Sequence, residues 1–154
     1  MKFSQLLRPE HVLVGAKAAD ASHAIRQLVQ LLAATGALKE PERALPLVLE
    51  REREYATGIG AGVAIPHCNC LLLPEGLVAA GLFDNGVDFG APDGPARLVL
   101  LLLSPPGNSG GHLKLLARIS RLARHGLCQR LAEQATPEAV ILGFAEAERD
   151  FLDL

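Results

Sequence analysis

The sequence predicts an α/β fold in which a mixed, mostly buried β-sheet of about five strands carries helices on both faces. Segments with apolar residues at helical spacing alternate with short apolar runs typical of strands. One run, Leu98 to Leu103, is apolar without interruption, as expected for a strand covered on both sides. A length of 154 residues favours a single domain that spans residues 1–154.

The first third of the chain reads as helix, strand and helix. Phe3 to Leu7 predicts a short helix, and His11 to Val14 predicts a strand. A longer helix is expected after Asp20, which has the side chain of an N-cap, and Gly36 is a plausible stop. Its apolar face recurs at helical spacing: Ala24, Ile25, Leu28, Val29 and Leu32.

A further helix is expected to begin near Pro41, because proline is tolerated in a first helical turn. Pro46 lies deeper in this segment and predicts either a kink or a later start. The segment ends in alternating charges, Glu50 to Glu54, which suit a solvated helix face.

The middle of the chain combines a glycine-rich loop with strand patterns. The loop covers residues 57–62, and Val63 to His67 then predicts a short buried strand that ends at a proline and a histidine. Leu77 to Phe83 and Leu98 to Leu103 are the next strand candidates. Turn residues cluster at 84–86, 92–95 and 105–108.

The last third predicts helices. The helical period starts at His112, Leu127 to Ala132 suggests a short helix, and Thr136 before Pro137 opens a last one.

The bulk composition excludes several classes of function. A net charge of −2 and a pI of about 6.2 favour neither nucleic acid nor a membrane surface as partner. The apolar run Leu98 to Leu103 is too short to span a bilayer, and the N-terminus lacks the apolar core of a secretory signal. We therefore expect no integral membrane segment and a cytoplasmic location. The three cysteines form no disulfide framework, so reduced thiols are expected.

One of the five histidines stands in a chemically suggestive place. His67 follows Pro66 at the predicted strand end, just after the loop that contains Gly58, Gly60 and Gly62. Such glycines allow backbone N–H groups to approach an anion closely, and a neighbouring histidine can accept a phosphoryl group. Position alone favours the alternative of a buried histidine with satisfied hydrogen bonds. The other candidates without evident partners, His11, His23 and His125, are expected on the surface.

The motif around His67 resembles the active-site signature of the fructose, mannitol and nitrogen-regulatory enzyme IIA family of the bacterial phosphotransferase system. The resemblance starts at Arg51-Glu52 and runs through Thr57-Gly58-Ile59-Gly60-x-Gly62-Val63-Ala64-Ile65-Pro66-His67. It continues in Val87-Asp88-Phe89, in Asp93-Gly94-Pro95 and in His112-Leu113, and it covers roughly residues 3–145.

The resemblance implies a phosphohistidine relay. The histidine-containing phosphocarrier protein would donate to Nε2 of His67, while Arg51 and His112 would bind the phosphoryl oxygens. Thr57, with Gly58, Gly60 and Gly62, would support phosphoryl binding, although Thr57 could also simply end its helix. From the residues alone, Arg51 could instead pair with Glu54, and His112 could be only a polar helix start.

The resemblance is closest to the nitrogen-regulatory branch, because of the form Thr57-Gly58-Ile59-Gly60. It therefore implies a regulatory IIA protein whose output partner is a regulated target. Two alternatives remain open. The chain could be a sugar-transport component that passes the phosphoryl group to a separate IIB domain, or a protein-binding regulator that works independently of phosphorylation.

The family commonly has glycine after the active histidine, whereas this chain has Cys68-Asn69-Cys70, which could restrict the approach of a partner protein.

Two rival sites, a zinc site and a nucleotide site, are disfavoured by their spacing. These cysteines could suggest zinc, but structural zinc sites usually separate paired cysteines by two to four residues. The glycine loop also lacks the G-x-G-x-x-G and G-K-[ST] spacings of nucleotide sites. We therefore expect no metal and no cofactor.

Overall fold

The structure is a computed structural model that describes residues 2–69, 73–107 and 109–152. Within these ranges the helices are α1 (Phe3–Leu6), α2 (Ala21–Ala34), α3 (Pro41–Glu54), α4 (Ser109–Arg124), α5 (Leu127–Ala132) and α6 (Pro137–Leu152). The strands are β1 (Val12–Ala16), β2 (Gly58–Gly60), β3 (Val63–Ala64), β4 (His67–Asn69), β5 (Leu77–Val87) and β6 (Ala96–Ser104). A single 3₁₀ turn, Pro9–His11, precedes β1.

The described strands form one mixed sheet, which confirms the predicted α/β class. The main order is β1-β5-β6-β3-β2, and β4 pairs separately with β6. Strands β5 and β6 are antiparallel, β1 is parallel to β5, and both β3 and β4 are parallel to β6. The described part of the chain contains six strands, where about five were expected.

Strand β6 explains why its sequence is apolar without alternation. Successive side chains of a strand point to opposite faces of the sheet. Leu98, Leu100 and Leu102 join a core with α1, α4, α5 and α6. Val99, Leu101 and Leu103 join a second core with α2 and α3. Helices therefore cover both faces, as the uninterrupted run predicted.

The strand predicted at Val63 to His67 is two strands. Ile65 and Pro66 separate β3 from β4, and proline has no N–H to donate to a strand ladder. The Pro66 carbonyl still accepts a hydrogen bond from Leu102 N–H at 3.0 Å, which keeps the segment against β6. His67 therefore opens β4, and the prediction that it ends a strand is wrong.

The turn predicted at residues 84–86 is also wrong, because these residues lie inside β5. The β5–β6 register shifts between Leu82 and Val87, and Gly86 has a φ of 73°. Turn-forming residues thus mark an irregularity within a long strand rather than its end.

Helix α3 runs from Pro41 through Pro46, so the predicted later start does not occur. Helix α4 begins three residues before His112, so His112 lies in its opening turn rather than at its start. Of the three histidines expected on the surface, His23 and His125 are exposed. The prediction is wrong for His11, which is buried with its Nε2 2.7 Å from the Thr35 hydroxyl. Cys70, and Asn108 of the predicted 105–108 turn, lie outside the described residues.

Candidate active site

His67 is held with one ring nitrogen bound and the other free to react. Its Nδ1 lies 2.7 Å from the Ile65 carbonyl oxygen, which can only accept a hydrogen bond. The hydrogen of the neutral ring is therefore on Nδ1, and Nε2 carries the lone pair. Burial lowers the pKa of His67, the Ile65 carbonyl opposes this, and the Arg51 charge lowers it further. The ring is neutral at pH 7, so Nε2 can act as a nucleophile.

Arg51 reaches His67 from the last turn of α3. Its Nη2 donates a hydrogen bond to Nε2 of His67 at 3.5 Å. Its Nη1 donates to the Tyr55 carbonyl at 3.2 Å, and its guanidinium lies 5.3 Å from the Tyr55 ring centroid. These contacts place the guanidinium beside His67 rather than against Glu54. A planar cation in this place suits an anionic group on Nε2.

His112 lies on the other side of His67. The two ring centroids are 5.0 Å apart with the planes tilted by 54°. His112 is buried, and its Nδ1 lies 2.8 Å from Oγ of Ser104 at the end of β6. Burial lowers its pKa to about 4, and electrostatic interactions with His67 and Arg51 act in the same direction. The opening turn of α4, which carries His112, also favours negative charge.

The side chain of Thr57 hydrogen-bonds to Glu52 rather than to either histidine ring. Its hydroxyl donates to one carboxylate oxygen of Glu52 at 2.6 Å, and its N–H donates to the other at 2.8 Å. Burial raises the pKa of Glu52, and both bonds from Thr57 oppose that rise. The pair fixes the end of α3 to the start of the glycine loop. The role of Thr57 in phosphoryl binding stays a prediction.

The glycines give the loop its shape. Gly58 donates its N–H to the Phe89 carbonyl at 3.0 Å, and a Cβ there would lie 2.7 Å from that oxygen. Gly62 has a φ of 79°, and a Cβ there would lie 2.8 Å from Sγ of Cys128. Gly60 lies against the Asp93 carboxylate, which accepts the next N–H of the loop at 2.9 Å. The loop N–H groups of Gly58 and of the residue after Gly60 thus bind protein acceptors, not an open anion site.

Sequence reasoning missed four polar partners of this site. They are Glu52, which binds Thr57, Asp93, which binds the glycine loop, and the pair Asn69 and Ser104, which reaches His112. Glu52 had a detectable signal, since it stands at a helix end five residues before a threonine. The other three depend on strand register and turn geometry, which the sequence pattern does not specify.

The cysteines differ from expectation at one position. Cys68 is disulfide-bonded, whereas Cys128 is a buried free thiol. The prediction that the thiols are reduced is therefore wrong for Cys68. Among the described residues, no three His, Cys, Asp or Glu side chains are arranged to hold a metal ion. The expected independence from metal stays a prediction.

Together these side chains can accept a phosphoryl group. A neutral imidazole offers the nucleophilic Nε2, a guanidinium and a helix N-terminus beside it favour negative charge, and a second imidazole lies close to it. None of the helices in the described ranges is long and apolar enough to cross a membrane.

The comparison with protein families finds one match. Residues 5–146 match the family described as phosphoenolpyruvate-dependent sugar phosphotransferase system, EIIA 2. The chain is 41% identical over 130 residues to a nitrogen regulatory protein of Bradyrhizobium diazoefficiens, covering 80% of this chain and 81% of that protein.

Two further proteins are similar. The chain is 31% identical over 143 residues to the fructose-specific EIIABC component of Bacillus subtilis, covering 92% of this chain but only 22% of that much longer protein. Its fold matches the crystal structure of the nitrogen regulatory protein IIA-Ntr from Neisseria meningitidis with a TM-score of 0.82 and 24% identity, covering 92% of this chain and 97% of that one.

Proposed function

The chain belongs to the EIIA 2 family of the phosphoenolpyruvate-dependent sugar phosphotransferase system, and we propose that it is a phosphohistidine relay that carries the phosphoryl group on Nε2 of His67. The observation that carries the proposal is the state of the His67 ring. Its Nδ1 is tied to the Ile65 carbonyl, and its free Nε2 lies beside Arg51 and next to the ring of His112.

The proposed donor is the histidine-containing phosphocarrier protein. The lone pair of His67 Nε2 attacks the phosphorus of the donor's phosphohistidine, and the donor's P–N bond breaks with its electron pair returning to the donor ring. The donor ring leaves as a neutral imidazole because its other ring nitrogen carries a hydrogen. The hydrogen of His67 stays on Nδ1 against Ile65, so the phosphorylated ring of His67 is itself positively charged next to the doubly negative phosphoryl group. Arg51 stabilises the charge on the phosphoryl oxygens as it moves, and His112 contributes once its Nε2 carries a hydrogen.

The site assignment is tested by transfer from phosphorylated phosphocarrier protein. We expect the wild type to gain one acid-labile phosphoryl group, measured by intact mass before and after acid treatment. His67→Ala should gain none, and His23→Ala should serve as the matched control, because His23 is exposed on α2 outside this site. Label retained on the folded His67→Ala variant would refute the assignment.

For the output we propose a regulatory role in the cytosol, in which phosphorylation of His67 selects the protein partner. The nitrogen regulatory protein of Bradyrhizobium, matched over most of both lengths, supports this role. The negative charge that a phosphoryl group adds to His67 would change the electrostatics of any surface docked there. The Kd of a regulated target for this protein should therefore differ measurably between the phosphorylated and the unphosphorylated protein.

Sugar transport is the second candidate, because the Bacillus subtilis relative is named a fructose-specific component that joins A, B and C parts. In that role the phosphoryl group would pass from His67 to a IIB domain. The deciding experiment supplies the phosphorylated protein to membranes that contain sugar permeases from the same source. Dephosphorylation that depends on one sugar, with that sugar phosphorylated in return, would favour transport over regulation.

A further inference from the structure

A short hydrogen-bond chain leads from an exposed side chain to the ring of His112. Asn69 at the end of β4 and Ser104 at the end of β6 are register partners in the parallel β4–β6 pair. Oγ of Ser104 donates to Oδ1 of Asn69 at 2.6 Å and lies 2.8 Å from Nδ1 of His112. Ser104 and His112 are both buried, with 3% and 5% of their surface exposed, so water competes little for these bonds.

This series of hydrogen bonds determines which nitrogen of His112 carries the hydrogen. A serine hydroxyl has one hydrogen to donate. The Ser104 hydroxyl donates it to Oδ1 of Asn69, because an amide oxygen can only accept a hydrogen bond. The contact between Ser104 and His112 must then be made by a hydrogen on Nδ1 of His112. A neutral ring in this state has a bare Nε2 that accepts hydrogen bonds and cannot donate them.

We propose that Asn69 and Ser104 are positioning residues that hold His112 in the Nδ1–H tautomer, so that His112 donates to the phosphoryl group only after it takes up a proton from solvent. This inference rests on the proposed function of His67. Phosphorylation places a dianionic group beside an imidazole nitrogen that has a lone pair. Proton addition at Nε2 replaces that repulsion by a charge-assisted hydrogen bond, while Nδ1–H keeps its bond to Ser104.

The surroundings keep the ring neutral until the phosphoryl group arrives. His67 on β4 and Arg51 on α3 both lower the pKa of His112, and burial lowers it most. The cavity beside His112 is also lined by Lys114 and Arg118 from α4 and by Glu75. Two of these three groups are cationic and disfavour a positive charge on the His112 ring. A doubly negative phosphoryl group beside the ring would instead favour its protonation.

The test reads the tautomer of His112 by long-range ¹H–¹⁵N NMR of histidine-labelled protein at pH 7, without phosphorylation. The wild type should show hydrogen on Nδ1. Asn69→Ala frees the Ser104 hydroxyl to donate to Nδ1, so His112 should switch to the Nε2–H form. Asn69→Asp keeps an oxygen that only accepts, so it should retain the wild-type tautomer and serve as the matched control.

A second measurement follows proton uptake during phosphorylation in weakly buffered solution. The wild type and Asn69→Asp should each take up one proton per phosphoryl group, whereas Asn69→Ala, already carrying hydrogen on Nε2, should take up much less. An Nε2–H tautomer in the wild type, or an unchanged tautomer in Asn69→Ala, would overturn the inference. Both outcomes are separate from failure of the proposed function, since the tautomer is read without any phosphoryl transfer.

Discussion

At the scale of single residues, the site depends on two imidazole rings kept neutral by their surroundings. His67 donates from Nδ1 to a backbone carbonyl, and His112 contacts a buried serine hydroxyl. Arg51 places one permanent positive charge beside both. A positive charge close to two neutral rings disfavours protonation and prepares the site for an anion.

Arg51 should contribute more than its charge. Arg51→Lys keeps a cation but loses the planar fork that binds two phosphate oxygens at once. Since a hydrogen bond to a charged group contributes about 1.5–3 kcal/mol, we expect transfer to His67 to slow about 10- to 100-fold. Stopped transfer reactions analysed by intact mass would measure this, with circular dichroism checking the fold. A transfer rate equal to that of the wild type would contradict the proposed role of Arg51 in binding the phosphoryl group.

His112 should make the protein less stable as the pH falls. Its pKa is about 4 in the folded state and 6.5 as a free side chain. Between these values the unfolded chain binds more protons, so the free energy of unfolding decreases as pH falls. From pH 7 to pH 5 this residue should remove about 2 kcal/mol.

Urea unfolding at both pH values tests that expectation. His112→Gln should lose about 2 kcal/mol less than the wild type over this interval, since glutamine does not titrate. Identical pH dependence in His112→Gln and the wild type would contradict the lowered pKa.

At the scale of elements, the segment predicted as a glycine-rich loop contains strand β2 and the turn that joins it to β3, so the prediction of a loop is wrong for Gly58–Gly60. Ala61 adopts a φ of 55°, which is uncommon for a residue with a side chain. Its N–H is held by the Asp93 carboxylate at 2.9 Å, and Gly58 is held by the Phe89 carbonyl. The sequence identifies such a loop by its glycines, but the acceptors that fix it come from more than 25 residues later in the chain.

Asp93→Ala should therefore reduce both stability and transfer. Removing the acceptor of the Ala61 N–H should cost about 1 kcal/mol and loosen the loop before His67. Asp20→Ala is the matched control, because Asp20 accepts the His23 N–H and caps α2 away from the site, at a similar cost. Phosphoryl transfer should slow in Asp93→Ala only. Equal transfer rates in the two variants would show that the loop shape does not matter for transfer.

At the scale of the whole molecule, one sheet brings together residues from distant parts of the sequence. Strand β6 pairs with β4 beside His67 and ends at Ser104, which contacts His112. Helix α3 on one face supplies Arg51, and α4 on the other supplies His112. The site therefore forms near the end of β6, where helices from both faces of the sheet come together.

Much of this arrangement could be predicted, because it follows from local pattern. The apolar run of β6 and the helical spacing in α2 predict a sheet covered on both faces. Pro66 and the glycine loop mark the region of His67. Residues 84–86 were predicted wrongly because a bulge inside a strand uses the same residue types as a turn. The Asn69–Ser104 contact could not be predicted, because it depends on the parallel register of two strands.

The most direct test of the central claim is to determine which nitrogen carries the phosphoryl group. The protein, labelled with ¹⁵N at histidine, would be phosphorylated by phosphocarrier protein and examined by NMR for ¹⁵N–³¹P coupling. We predict coupling at Nε2 of His67, with hydrogen still on Nδ1 against the Ile65 carbonyl. A phosphoryl group on Nδ1 of His67, or on any other residue, would contradict this account of the site.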